Sequence, residues 1–161
     1  MPPDRPKVGV GVFVIKDGKF PMLLRQGSHA AGDWALAGGH LELGETWEDC
    51  AARETQEELG IGIKNVRFLS ATNDIFAESK HYVTIFMVAD WASGKAVNAE
   101  PEKASNLKWF TLDTLPSNSM LPIRNLLKQN PDNWPTDTKH AILSPAFTRG
   151  DVAQLVRAQD S

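Results

Sequence analysis

Apolar residues alternate along the first part of the chain and predict a strand over residues 8–15. Four valines share one face and small or apolar residues share the other: Val8, Val10, Val12, Val14; Gly9, Gly11, Phe13, Ile15. Because neither face is polar, we expect this strand to be buried. Asp17-Gly18 is a favoured two-residue hairpin turn and predicts a return strand over residues 20–25. Pro21 within that strand indicates a bulge or an edge position.

The clearest helix signal covers residues 47–59. Thr46 is a suitable N-cap, and Asp49 follows three residues later as a variant of the capping box. Gly60 stands where a glycine commonly ends a helix. The candidate packing face consists of Trp47, Cys50, Ala51 and Leu59.

The remaining pattern predicts four short strands, one turn and a second helix. They are strands over 34–37 (broken by Gly38-Gly39), 65–72, 82–91 and 107–110, a turn or short helix over 111–115, and a helix over 121–129. The order β-β-β-α-β-β-β-α predicts an α+β fold with helices packed on a mixed sheet. We expect one domain over residues 6–130 and a Pro- and Asp-rich C-terminal extension over 131–161, in which residues 152–158 form a weak helix candidate.

Composition narrows the class of protein. The 161 residues fit one globular domain, and the net charge of −3 does not favour nonspecific or stable nucleic-acid binding. Cys50 is the only cysteine, which fits a reducing compartment. No apolar run approaches the roughly 18 residues of a membrane span, and the N-terminus lacks the apolar segment of a signal peptide. We therefore expect a cytoplasmic protein that does not associate with membranes.

Acidic residues concentrate in one segment: seven of the twenty lie within residues 42–58. Such a run is most often a solvated helix face. Glu54, Glu57 and Glu58, however, are spaced i, i+3, i+4 and share one face of the predicted helix. Clustered carboxylates are hard oxygen donors of the kind that Mg²⁺ binds. A backbone carbonyl at Gly38-Gly39 is close enough in sequence to join them.

The segment GHLELGETWEDCAARETQEELGI resembles the Nudix box, G-x5-E-x7-R-E-U-x-E-E-x-G-U, in which U is a bulky aliphatic residue. The matching positions are Gly39, Glu45, Arg53, Glu54, Glu57, Glu58, Gly60 and Ile61. The one departure is Thr55 at the first U position, where a β-branched side chain similar in shape to valine should preserve packing. The resemblance implies the Nudix fold, a mixed sheet sandwiched between helices.

The stretches VGVGVFVI, HYVTIFM and EPEK extend the resemblance over residues 6–128, to the MutT-like branch and in particular its MutT-homologue-2 type. This implies an Mg²⁺-dependent (Mn²⁺ also suitable) conversion of (d)NTPs, oxidised guanine triphosphates among them, to NMP plus diphosphate. Ala37, where proline is common, and Met120, where aromatic residues are common, depart from the branch. The alternatives are another diphosphate (isoprenoid diphosphate, ADP-ribose, dinucleoside polyphosphate or capped RNA) and a non-catalytic nucleotide-sensing module.

The resemblance also implies residue roles. Glu54 and Glu58, with the Gly39 carbonyl, are expected to bind the metal, and Glu57 is a further ligand or assists the attacking water. Glu102 is a candidate distal ligand, with Glu100 beside it in the same EPEK loop; two loop carboxylates in water are the plainer reading. Which glutamate is the general base stays open.

Glu45 and Arg53 are expected to form an ion pair that supports the metal ligands. The pair ties the loop before the helix to the helix and orients the helix. The plainer reading is a surface ion pair worth less than about 1 kcal/mol.

Substrate contacts are predicted on both sides of the box. The candidates are Gly38, His40, Trp34, Phe76, His81 and Leu121. For each of the aromatic and aliphatic candidates a place in the core is the favoured interpretation, whereas for His81 a pocket position and a plain strand-end position are equally plausible. His29 and His140 are interpreted as surface residues, and Cys50 as a packing residue of the helix. Relatives of this branch are often homodimers, and the 8–15 strand is the candidate interface.

Overall fold

The computed structural model describes residues 4–27, 29–77 and 79–129. Its elements are β1 Lys7–Ile15, β2 Phe20–Arg25, β3 Trp34–His40, α1 Trp47–Leu59, β4 Gly62–Ile75, β5 His81–Ser93, β6 Ala104–Phe110, a 3₁₀ turn at Leu112–Thr114, and α2 Leu121–Gln129. The predicted order of elements is confirmed. The proposed extension over 131–161, with its helix candidate and His140, lies outside the described residues.

The six strands form one sheet in the order β4-β5-β1-β3-β2-β6. It is mixed because β1 runs parallel to β5 while the other neighbours pair antiparallel. Val12 of β1 belongs to the core cluster that contains Cys50 and Leu59 of α1, whereas Phe13 belongs to the cluster that contains Leu126 of α2. The sheet is therefore sandwiched between the two helices, as expected.

β1 lies in the middle of the sheet, hydrogen-bonded to β3 on one side and β5 on the other. The burial predicted for it is confirmed, since Val10 to Val14 are nearly inaccessible. The suggestion that this strand contributes to a dimer interface stays a prediction. Residues 9–12 cannot add a strand of a second chain, because β3 and β5 already pair with both of their edges.

Two local predictions in β2 and β3 also need correction. β2 is an interior strand between β3 and β6, and its irregularity lies at Leu24/Arg25 rather than at Pro21. Pro21 is tolerated because the β2–β3 ladder begins only at Met22. β3 does not stop at Gly38-Gly39 but continues to His40, because its second half changes partner from β2 to β1.

The caps of α1 follow the sequence prediction. The Thr46 hydroxyl accepts a hydrogen bond from the Asp49 amide at 3.1 Å, and Gly60 adopts the left-handed conformation with φ 68°. Asp17 and Gly18 form the predicted turn, both with positive φ. No helix among the described residues is long and apolar enough to cross a bilayer.

Candidate functional site

A cleft of about 740 Å³ opens where the C-terminal half of α1 meets the end of β3. Glu54 and Glu58, one helical turn apart, both line it. Gly38, Gly39 and His40 line it from β3, and Glu102 lines it from the loop after β5. The structure thus brings these six residues, all of them singled out in the sequence, into one cleft.

Two glycines let the strand and the helix approach this closely. A Cβ atom at Gly38 would overlap the Val10 carbonyl oxygen, and one at Gly39 would overlap the Glu54 carboxylate. The Gly38 amide donates a hydrogen bond to Glu58 Oε2 at 3.3 Å. The close backbone approach, rather than a break in the strand, explains the glycine pair at this position.

Arg53 lies beside the cleft and joins its carboxylates to the preceding loop. Nε and Nη2 donate to Glu45 at 2.7 and 3.2 Å, a bidentate pair. Nη1 donates to Glu54 at 2.8 Å and to Glu57 at 3.3 Å. Nη2 also donates to the His40 carbonyl at 3.2 Å. The predicted pairing of Arg53 with Glu45 is present, and it holds the loop against the helix and the end of β3.

The carboxylates of this region have opposite pKa shifts. Hydrogen bonds from Arg53 and from the Glu42 amide lower the pKa of Glu45 to about 2. Burial, with repulsion from Glu54, raises the pKa of Glu58 to about 8. Burial also raises the pKa of Glu54, against the opposing effect of Arg53. Glu58 is therefore a buried acid whose charge the protein side chains around it do not offset.

The loop after β5 supplies further acidic groups. The amides of Val97 and Ala99 donate to the Leu59 and Glu58 carbonyls at 3.0 Å, which satisfies the free C-terminal carbonyls of α1. This docking places Glu100 where its charge raises the pKa values of both Glu54 and Glu58. Glu100 itself pairs with Lys103 at 2.8 Å.

Besides Glu45, Arg53 and Glu100, four of the predicted site residues do not line the cleft. The side chain of Trp34 is buried against Phe110, with ring centroids 5.2 Å apart. His81 lies at the start of β5 and contacts the Asn73 amide oxygen at 2.5 Å. Leu121 is flanked by two residues that do line the cleft but is absent from the lining itself. Glu57 is half exposed and shares Nη1 of Arg53 with Glu54, so it lies beside the cleft.

Trp34 contacts a cleft residue through its backbone. Its carbonyl accepts a hydrogen bond from the Met120 amide at 2.8 Å, and Met120 lines the cleft. The expectation of direct substrate contacts by Trp34, His81 and Leu121 is therefore not supported by their positions. A buried tryptophan and a pocket tryptophan give the same sequence pattern, so only packing separates them.

An aromatic group that also lines the cleft was largely missed. Phe76 and Tyr82 line it with ring centroids 5.8 Å apart, and Tyr82 is stacked on His40 at 5.6 Å. His29, interpreted as a surface residue, also lines the cleft and meets Phe76 at 4.4 Å. These residues come from three separate segments, so no local spacing could reveal the group. Arg25 and Lys103 add basic side chains to the lining.

The donor set fits a divalent cation by its chemistry. Glu54 and Glu58 present carboxylate oxygens to the cleft, and the Gly39 backbone lies directly against Glu54. Such a buried acidic pair gains from a nearby cation, which would offset its repulsion. Among residues 4–27, 29–77 and 79–129, no three His, Cys, Asp or Glu side chains are already grouped closely enough to hold an ion. One oxygen of the Glu54 carboxylate accepts a hydrogen bond from Arg53.

The fold and this glutamate-lined cleft define a class. The NUDIX domain family model matches residues 5–130, and the chain belongs to the Nudix hydrolase family. The predicted family and fold are confirmed.

Individual relatives lie within the same family. The chain is 31% identical over 133 residues to the NAD-capped RNA hydrolase NudC of Vibrio atlanticus (strain LGP32). The aligned residues cover 83% of this chain and 47% of that protein. It is 35% identical over 95 residues to NudC of Vibrio parahaemolyticus serotype O3:K6 (strain RIMD 2210633), covering 59% and 35% respectively. The chain spans about half or less of the length of these relatives.

A solved structure also matches. The MutT NUDIX hydrolase from Burkholderia pseudomallei is 33% identical, with a TM-score of 0.69, over 73% of this chain and 92% of that one. The six-stranded sheet and its two helices are therefore an arrangement already observed in this family.

Proposed function

We propose that the chain hydrolyses a phosphoanhydride bond of a nucleotide substrate with the help of Mg²⁺ or Mn²⁺, converting (d)NTPs to NMP plus diphosphate. The observation that carries this proposal is that Glu54 and Glu58 line one cleft together with a group of aromatic residues. The carboxylates suit a metal-bound phosphate chain, and the aromatic residues suit a planar base.

The metal requirement follows from charge. A triphosphate carries three to four negative charges and would be repelled by Glu54, Glu58 and the neighbouring Glu100. Glu54, Glu58 and the Gly39 carbonyl are the proposed ligands, with Glu57 and Glu102 able to complete the set. When bound, the cation neutralises charge that develops on the phosphates and acidifies the attacking water.

The protein residues then have defined tasks. Arg53 holds Glu54 through Nη1 and fixes the loop through Glu45, so it positions the ligand-bearing turn of α1. Lys103 and Arg25 supply positive charge along the cleft for the phosphate chain. The water oxygen bonds to one phosphorus while the bridging P–O bond breaks, and a carboxylate of the site takes the water proton. The bridging oxygen leaves with the diphosphate.

A second candidate substrate is a dinucleotide of the NAD type, free or at the end of RNA. It is favoured by the curated relatives, which are named NAD-capped RNA hydrolases. The same cleft would then cleave the central diphosphate of the dinucleotide to two mononucleotides. The net charge of −3 disfavours a long RNA contact.

A turnover panel tests the proposal. Purified protein is incubated with Mg²⁺, with Mn²⁺ or with EDTA and each of the four dNTPs, oxidised dGTP, NAD, NAD-capped RNA, ADP-ribose and geranyl diphosphate, and the products are separated by chromatography. We expect metal-dependent release of NMP and diphosphate from a triphosphate. Two mononucleotides released only from NAD or capped RNA would establish the second candidate. Turnover of geranyl diphosphate alone, or none at all, would overturn the nucleotide proposal.

A further inference from the structure

The cleft has a floor without side chains. Gly9 and Gly11 of β1 both line it, and their partners across the parallel pairing are Thr84 and Phe86 of β5. A Cβ atom at Gly9 would meet its nearest neighbours only at 3.8–3.9 Å, so packing alone does not require glycine there. The bare backbone leaves a flat surface between the side chains of the neighbouring strands, and such a surface accommodates a planar ring.

The side of this floor is aromatic. Tyr82, Thr84 and Phe86 are every second residue of β5 and so share one face of the strand, and all three line the cleft. Phe76 faces Tyr82 nearly at right angles, with ring centroids 5.8 Å apart. A base that enters here can stack on an aromatic face, a contact that gives affinity but little discrimination between bases.

Thr84 is the polar residue between the two aromatic residues on this face of β5. The hydroxyl of Thr84 donates a hydrogen bond to Asp74 Oδ2 at 2.6 Å. Asp74 is fully buried and also accepts hydrogen bonds from the Thr72 hydroxyl at 3.0 Å and the Asn125 amide at 2.9 Å. Every recorded partner of this carboxylate is a donor. A carboxylate only accepts, so the single hydroxyl proton of Thr84 is committed to Asp74.

The hydrogen bond from Thr84 to Asp74 limits which hydrogen bonds the Thr84 hydroxyl can make to a ligand. Thr84 Oγ1 retains acceptor capacity and has no second proton to donate. It can pair with an N–H group of a ligand but not with a carbonyl. A ligand carbonyl placed against this oxygen would be buried without a hydrogen-bond donor, which costs binding energy. The position therefore discriminates between ligands more strongly than stacking does.

We propose that Gly9, Gly11 and the aromatic side form the subsite for the base, and that Thr84, oriented by Asp74, selects a base that presents an N–H donor to it. This inference rests on the proposed nucleotide hydrolysis and deepens it. Thr84 is a specificity-determining residue, and Asp74 is a positioning residue that touches no ligand.

Two matched variants separate contact from structure. Thr84→Val and Thr72→Val each remove one hydroxyl that donates to Asp74 Oδ2, but only Thr84 lines the cleft. Thr84→Ser keeps the hydroxyl. Calorimetry measures the affinities of AMP, GMP, CMP, UMP and nicotinamide mononucleotide for wild type and each variant. The donor-free analogues are purine riboside monophosphate, 2-pyrimidinone riboside monophosphate and nicotinic acid mononucleotide. Circular dichroism verifies the fold, and turnover of the panel substrates is measured in parallel.

We expect Thr84→Val to weaken the tightest-bound probe about tenfold, as the loss of one hydrogen bond implies, while Thr72→Val and Thr84→Ser stay within about threefold of wild type. Wild type should bind that probe about tenfold more tightly than its donor-free analogue, and Thr84→Val should not. Gly9→Ala, which puts a methyl group on the floor, should weaken every probe.

Three results would overturn the inference. If Thr84→Val binds and discriminates like wild type while nucleotides are still hydrolysed, Thr84 makes no contact and only the inference fails. If Thr72→Val loses as much affinity as Thr84→Val, the effect runs through Asp74 and the core. If wild type neither binds nor hydrolyses any nucleotide, the proposed function fails together with the inference.

Discussion

Arg53 donates two hydrogen bonds to the Glu45 carboxylate, from Nε at 2.7 Å and from Nη2 at 3.2 Å. The two residues are eight positions apart, and the pair fixes the loop before α1 onto the middle of the helix. The same guanidinium reaches Glu54, a proposed metal ligand, at 2.8 Å. The geometry of the proposed metal site therefore depends on a planar donor that holds two carboxylates at once.

Arg53→Lys should lower kcat/KM about 10- to 100-fold without unfolding the protein, because an ammonium group cannot reproduce the planar fork of arginine. Steady-state kinetics on the best substrate of the panel, with circular dichroism for the fold, measure this. Arg67→Lys is the control, since Arg67 pairs with Asp90 at 3.5 Å on β4 and β5 and does not line the cleft. Equal activity of the two variants would contradict the positioning role.

Glu45 should contribute to stability only above acidic pH. Its pKa is lowered to about 2 in the folded protein, from an ordinary value of 4.5. The contribution is fully present above about pH 4.5 and is lost as the pH falls through 2, because the protonated acid no longer pairs with Arg53. The difference in free energy of unfolding between wild type and Glu45→Gln should be constant near neutral pH and shrink below pH 4.5. Urea titrations at a series of pH values measure it, and a difference that grows on acidification would contradict this assignment.

Glu58→Gln should separate activity from stability. Activity should fall about 100-fold or more, because one charged group at the reacting phosphates is removed. In EDTA the variant should unfold at a higher temperature than wild type, because an amide carries no charge to desolvate. Glu48→Gln, an exposed position on the same helix, is the control and should match wild type in both measurements. Near-normal turnover of Glu58→Gln would contradict its role as a ligand.

Cys50 should be inert in the native protein. It is fully buried in the interface between α1 and the sheet, and burial raises its pKa to about 12. At pH 8 a thiol reagent should therefore react with no thiol in the native protein and with one per chain in denaturant, since the sequence has a single cysteine. Absorbance at the release of the chromophore follows the reaction. Rapid reaction of the native protein would show that this helix face opens.

Local signals were read reliably from the sequence. α1 has the predicted bounds because Thr46 and Gly60 cap it through contacts within a few residues. The bounds of α2 were also predicted correctly. β4 runs over Gly62–Ile75, six residues longer than the predicted 65–72, because its pairing continues past register shifts that sequence periodicity does not show.

The long-range part of the site could not be read in this way. Phe76 and Tyr82 lie at the connection between β4 and β5, His29 lies in the loop before β3, and His29 meets the other two rings only when these segments pack together. Trp34 looked like a base platform, yet its ring is buried against Phe110. Apolar residues of the core and of a pocket are chosen by the same chemistry, so their sequence patterns are alike.

The sequence by itself determined the family, the order of the elements and the carboxylates on α1, because helical spacing and caps are local properties of the chain. Only the tertiary structure decided which side chains share the cleft with those carboxylates. It paired Gly9 with Thr84 and Gly11 with Phe86 across β1 and β5, and it committed the Thr84 hydroxyl proton to Asp74. Such relationships depend on strand order and register, which arise from packing of the whole sheet rather than from any one segment.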